Sequence, residues 1–81
     1  MRLPRDVSGD DLAKALRRLG YEVTRQTGSH MRLTTERNGE HHVTVPRHRS
    51  LRIGTLAGVL DEVARHHDIT RSQLVELLFA S

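Results

Sequence analysis

The sequence predicts an α+β fold in the order α-β-β-β-α, followed by a short extra C-terminal helix. Three patterns carry this. Leu12, Leu16 and Leu19 recur at helical spacing ahead of Gly20. Alternating stretches between Tyr21 and Val45 are broken at Gly28-Ser29 and at Asn38-Gly39, which is how strands in a meander read. Leu56, Val59, Leu60 and Val63 then return to helical spacing.

The first helix starts at Ser8, a short polar residue suited to an N-cap, with Asp10 and Asp11 in the first turn where acids suit the helix dipole. Val7 and Leu12 have the spacing of a hydrophobic staple, and Gly20 is placed to end the helix. Lys14, Arg17 and Arg18 fall on the far side of the wheel from the leucines. The first strand is expected over Tyr21–Arg25, with Tyr21 and Val23 inward and Arg25 on their side at the strand's end. The second runs from His30 to Thr35, and the third from His41 to Val45, stopped by Pro46. Asn-Gly at 38–39 is a strong signal for the hairpin between them. Arg47, Arg49 and Arg52 make the next loop basic, and a second helix begins around Gly54-Thr55 and fades by His66-His67. Thr70 and Gln73 form a capping box for a third helix, carried by Leu74, Leu77 and Leu78. One domain over 1–81 is expected, with its core at about 7–66 and the C-terminal helix at about 70–80.

Composition narrows the classes. With 36% hydrophobic residues and only two aromatics, Tyr21 and Phe79, the core must be Leu, Val and Ile. There is no cysteine, so a disulfide framework and a thiolate metal site are both excluded. A cytoplasmic protein with no membrane partner is expected, since no apolar run approaches the ~20 residues of a span. The net charge of +3 is unevenly placed: residues 1–53 hold 11 Arg/Lys against 6 Asp/Glu, and residues 54–81 hold 2 against 4. Twelve of the 13 basic residues are Arg, whose planar fork grips phosphate in a bidentate manner. Clustered arginine on the strand-bearing part favours a polyanionic partner.

Gly28-Ser29-His30 and the strand after it are the centre of the functional reading. Alternation sends Met31 and Leu33 to the core and His30 and Arg32 to the opposite face, with His42 and Thr44. An exposed imidazole beside a guanidinium pairs proton transfer with phosphate binding. By position alone, His30 reads more readily as an ordinary surface histidine at a strand edge than as a site residue. None of the six histidines has the His-x-x-x-His spacing of a zinc enzyme, so no metal or other cofactor is expected.

The ordered set Ser8…Leu12…Leu16…Gly20-Tyr21, Arg25…Gly28-Ser29-His30, Val43-Thr44-Val45-Pro46…His48 and Ile53-Gly54-Thr55-Leu56…Leu60 resembles the HicA family of toxins from toxin–antitoxin pairs. The resemblance runs from about Val7 to Leu78. The sequence departs from the family pattern at Leu33, where many members carry an aromatic residue, and at Asp61-Glu62, which makes the second helix more acidic. The resemblance implies a fold like the double-stranded RNA-binding domain. It also implies a small ribonuclease that cuts mRNA, stops translation, and is neutralised by a HicB-type antitoxin protein. Its catalytic histidine falls on His30. Cleavage without a metal uses the neighbouring 2′-hydroxyl as nucleophile and needs proton transfer and cations around the phosphorane. Arg25 and Arg32 are the candidates for the phosphate, and Ser29 for a hydrogen bond beside it. Arg47, His48 and Arg49, with Lys14 or Arg18, are candidates for backbone phosphates, and Gly28 shapes the turn. The alternative is a non-catalytic RNA-binding module on the same scaffold. A DNA-binding subunit ranks last, because no helix-turn-helix signature is present and no direct DNA binding is expected.

Overall fold

A computed structural model describes residues 3–80 of the chain. Its elements are α1 (Gly9–Leu16), a single 3₁₀ turn (Arg17–Leu19), β1 (Glu22–Thr27), β2 (His30–Thr35), β3 (His41–Pro46), α2 (Ile53–His66) and α3 (Arg71–Phe79). The strands form one antiparallel sheet in the order β1-β2-β3. This is the α-β-β-β-α order of a double-stranded RNA-binding domain with one helix added.

The helix ends follow the sequence signals. The Ser8 hydroxyl accepts from the Asp11 amide at 2.9 Å, and the Asp11 carboxylate accepts from the Ser8 amide at 3.3 Å. Val7 and Leu12 are both buried, as a staple requires. The last turn tightens to 3₁₀ and closes on Gly20, whose φ is +82°. Thr70 and Gln73 form the second capping box, and both Asn38 and Gly39 have positive φ at the hairpin.

The three helices lie on one face of the sheet. Leu12 and Leu16 of α1, Leu33, Val43 and Val45 of the sheet, Leu56, Leu60 and Val63 of α2, and Leu74 and Leu78 of α3 make a continuous core. Each such side chain contributes about 1.5–3 kcal/mol when fully buried. Thr35 is buried among them, and its hydroxyl donates to the Leu19 carbonyl at 2.8 Å. A bidentate Arg71–Asp61 pair, with both contacts at 2.6 Å, ties α3 to α2.

Three expectations are corrected. Val23 is not inward in the sense of buried: it pairs with Leu33 on the helix side of the sheet, yet β1 is an edge strand and Val23 stays 47% exposed. Arg25 does not share Val23's side. A β-bulge between Val23 and Arg25 makes Thr24 and Arg25 together oppose Arg32, which turns Arg25 onto the outer face. Leu77 does not carry α3 into the core, because it sits on the outward side of that helix at 44% exposure.

Candidate functional site

The outer face of the sheet, the one without helices, gathers part of the expected site. Two-residue alternation along β2 exposes His30 and Arg32 and buries Met31 and Leu33. Register then fixes their neighbours. His30 lies between Thr27 and Pro46, Arg32 lies between the Thr24-Arg25 bulge and Thr44, and Thr34 lies between Glu22 and His42. The bulge therefore brings Arg25 beside Arg32, about two residues of strand rise, or ~7 Å, from His30.

His30 is held by its backbone, leaving its ring free. It opens β2 directly after the tight two-residue turn Gly28-Ser29, in which Gly28 takes φ +56°, a conformation costly for a residue with a Cβ. The Ser29 carbonyl accepts from the Arg47 amide, which fastens the turn to the start of the basic loop. Among the described residues, the His30 ring makes no hydrogen bond, and Arg25 and Arg32 pair with no carboxylate. The site is thus an exposed imidazole with two unpaired guanidinium groups on one rigid face.

The remaining candidates are distributed elsewhere. Arg47 adjoins Ser29 through its backbone, but its Nε donates to Asp10 at 3.0 Å, so the side chain leans towards the start of α1. His48 and Arg49 are exposed in the same loop, and the His48 carbonyl accepts from the Gly9 amide at 2.9 Å. Lys14 lies in the helix layer, where it lines a cleft of about 490 Å³ with Arg17, Arg47, Asp10, Val23 and Met31. Arg18 is engaged structurally: its Nη1 donates to the Leu77 carbonyl near the end of α3, at 2.8 Å. The structure thus joins His30, Arg25 and Arg32 on one face, sets the Arg47 loop at its margin, and places Lys14 and Arg18 away from it.

Two side-chain networks escaped sequence reasoning. On the outer face, Glu40, His42, Thr34 and Thr24 form a chain with successive separations of 2.7, 2.7 and 2.8 Å. In the helix layer, the Tyr21 hydroxyl lies between His41 and His67, and His66 stacks on His41. Burial lowers the pKa of both His41 and His67, and neighbouring imidazoles add to it. Only the alternation of His41 and His42 across β3 hinted that the two rings belong to different networks. Among the described residues, no group of three or more His, Cys, Asp or Glu side chains is arranged to hold a metal ion. No helix among them is long and apolar enough to cross a membrane.

Residues 9–65 match the family model described as HicA toxin of bacterial toxin-antitoxin. No curated protein and no solved structure matches the chain.

Proposed function

Because the chain belongs to the HicA family of toxins, we propose that it is a metal-independent endoribonuclease that cuts mRNA, with His30 as its catalytic residue. The observation that carries this reading is the free His30 ring on the same face as the unpaired Arg25 and Arg32. An imidazole there takes the proton from a ribose 2′-hydroxyl, or gives one to the departing 5′-oxygen. The two guanidinium groups offset the charge that gathers on phosphorus as the 2′-oxygen attacks. Ser29 in the turn, Arg47 bonded to it through the backbone, and His48 and Arg49 further along the same loop hold the flanking RNA backbone.

Membership in a toxin family implies a cognate antitoxin. We take the partner to be a HicB-type protein that covers the outer sheet face and hides His30 in a mixed or acidic surface. A complex in which His30 stays solvent-accessible would count against this.

The test is His30→Ala. The residue is exposed, so melting should stay near wild type, within roughly 0.5 kcal/mol. RNA cleavage should fall about 10²–10⁴-fold while RNA binding persists. Added imidazole should restore part of the rate. Unchanged cleavage, or loss of fold, would remove His30 from the catalytic role.

A further inference from the structure

The far end of the outer face differs in chemistry from the His30 end. Four residues along β2 from His30, Glu22, Thr34 and His42 lie side by side across the three strands. His42 is gripped through both ring nitrogens. Nε2 stands 2.7 Å from the Glu40 carboxylate, which can only accept, so this nitrogen carries a proton. Nδ1 stands 2.7 Å from the Thr34 hydroxyl, which is itself 2.8 Å from that of Thr24. The Thr24 hydroxyl also reaches the Arg32 carbonyl at 3.3 Å, anchoring the chain to the sheet. A ring so engaged has no nitrogen left for a ligand. What it offers is its flat face, and the side chain remains 35% exposed.

We propose that His42 is a stacking platform for an unpaired nucleobase of the RNA, held in place by Glu40 and Thr34, and that it biases where the chain cuts. The proposal rests on the ribonuclease reading and names a substrate-selecting residue within it. Electrostatics separates the two ends of the face. Arg25 and Arg32 attract phosphate in the middle row, whereas Glu22 and Glu40 repel it from the end row. A strand laid along β2 therefore puts backbone over the arginines and a base over His42. Sequence-specific contact with RNA favours unpaired bases stacked on aromatic side chains, histidine included. Room exists for one: a cleft of about 420 Å³ between β3 and α2 opens beside the ring, lined by Thr44, Thr55, Gly58 and Glu62. Strand rise puts His42 about 13 Å from His30 along the sheet. That span is roughly four nucleotides of stacked strand at about 3.4 Å each, or about two if the strand is extended.

The experiment maps cut sites on a randomised RNA pool for wild type, His42→Ala, His42→Tyr and Glu40→Gln, with thermal melts of each. Losing one stacked base should raise KM about 5–150-fold, the equivalent of about 1–3 kcal/mol, and leave kcat within a few-fold. His42→Ala should also flatten the base preference at one position about two to four nucleotides from the cut, and His42→Tyr should keep a preference there. Glu40→Gln should weaken it in part. A second arm uses His30→Ala with an oligoribonucleotide carrying 2-aminopurine, whose fluorescence is quenched by stacking; adding His42→Ala should abolish the quenching. Unchanged KM and cut-site preference in a folded His42→Ala protein would overturn the proposal. So would a loss confined to kcat, or an oligonucleotide that is not quenched while antitoxin binding alone depends on His42. If wild type cuts nothing but quenching still depends on His42, the platform stands and the ribonuclease reading falls.

Discussion

The Tyr21 hydroxyl lies 2.8 Å from Nδ1 of His41, in the helix layer and away from the face that carries His30. The same hydroxyl is 3.1 Å from Nε2 of His67. One O–H can donate to only one of them, so the other ring must donate to the phenol oxygen. That arrangement suits two neutral imidazoles. His66 stacks on His41 with centroids 4.3 Å apart, and its Nε2 faces the Arg37 and Gly39 carbonyls, so it donates there. Burial, and then the charge of Glu62, push the Tyr21 phenol up to about 12, so the hydroxyl keeps its proton.

Acid should therefore loosen this protein in a defined window. The pKa values of His41 and His67 are lowered from 6.5 in the folded chain, chiefly by burial and then by the His66 ring. Glu62 opposes the shift at His41 while His42 adds to it, and Arg37 adds to it at His67. Below 6.5 the unfolded chain binds protons that the folded chain refuses. Stability is thus fully present above that value and is lost as pH falls through the lowered folded values. Urea midpoints measured from about pH 8 to about pH 5 should decline, and the decline should shrink in His67→Gln. A flat profile would mean the pair is not held neutral.

Tyr21→Phe keeps the buried ring and removes only the shared hydroxyl. Both imidazoles then lose a partner in a partly buried site. The loss should be about 1–3 kcal/mol by denaturant titration, with RNA cleavage unchanged because the cluster lies on the other side of the sheet.

Gly9→Ala should cost more than its place at a helix start suggests. A Cβ there would overlap the Pro46 carbonyl oxygen and crowd the Arg47 Cα, while the Gly9 amide is bonded to His48. Helix and loop would have to part, at about 1–3 kcal/mol. Because Arg47 also bonds Ser29, amide chemical shifts should move from Arg47 to His30. Shifts confined to α1 would contradict this coupling.

These long-range networks explain what could and could not be read from the chain. Caps at Ser8 and Thr70, the Asn38-Gly39 turn and the apolar stripe of α2 depend on residues within one turn of each other, so local spacing reveals them. The exposure of His30 followed from alternation alone. The bulge at Thr24 depends on pairing with another strand, and it moved Arg25 to the opposite face. Tyr21 meets His67 across 46 residues of sequence, and no spacing rule links them. The role of Thr35 was hidden because a threonine at a strand end reads as surface until the Leu19 carbonyl arrives to accept its proton.

The placement of the arginines separates phosphate contacts from structural ones by salt dependence. On single strands, log K falls against log salt with a slope of about 0.7 per phosphate neutralised. Arg25 and Arg32 stand unpaired on the outer face, so Arg25→Gln and Arg32→Gln should each weaken RNA binding and lower that slope by about 0.7. Arg18 is tied to the Leu77 carbonyl, and the Arg18 carbonyl in turn accepts from Arg37 at 2.9 Å. Arg18→Gln should then lower stability by releasing the end of α3 while the slope stays as in wild type. Binding isotherms at several salt concentrations, on the His30→Ala background to prevent cutting, make the comparison. If Arg18→Gln lowers the slope as Arg25→Gln does, RNA also runs over the helix layer. If neither outer-face variant changes it, the backbone does not lie over Arg25 and Arg32, and the phosphate role assigned to them beside His30 is wrong.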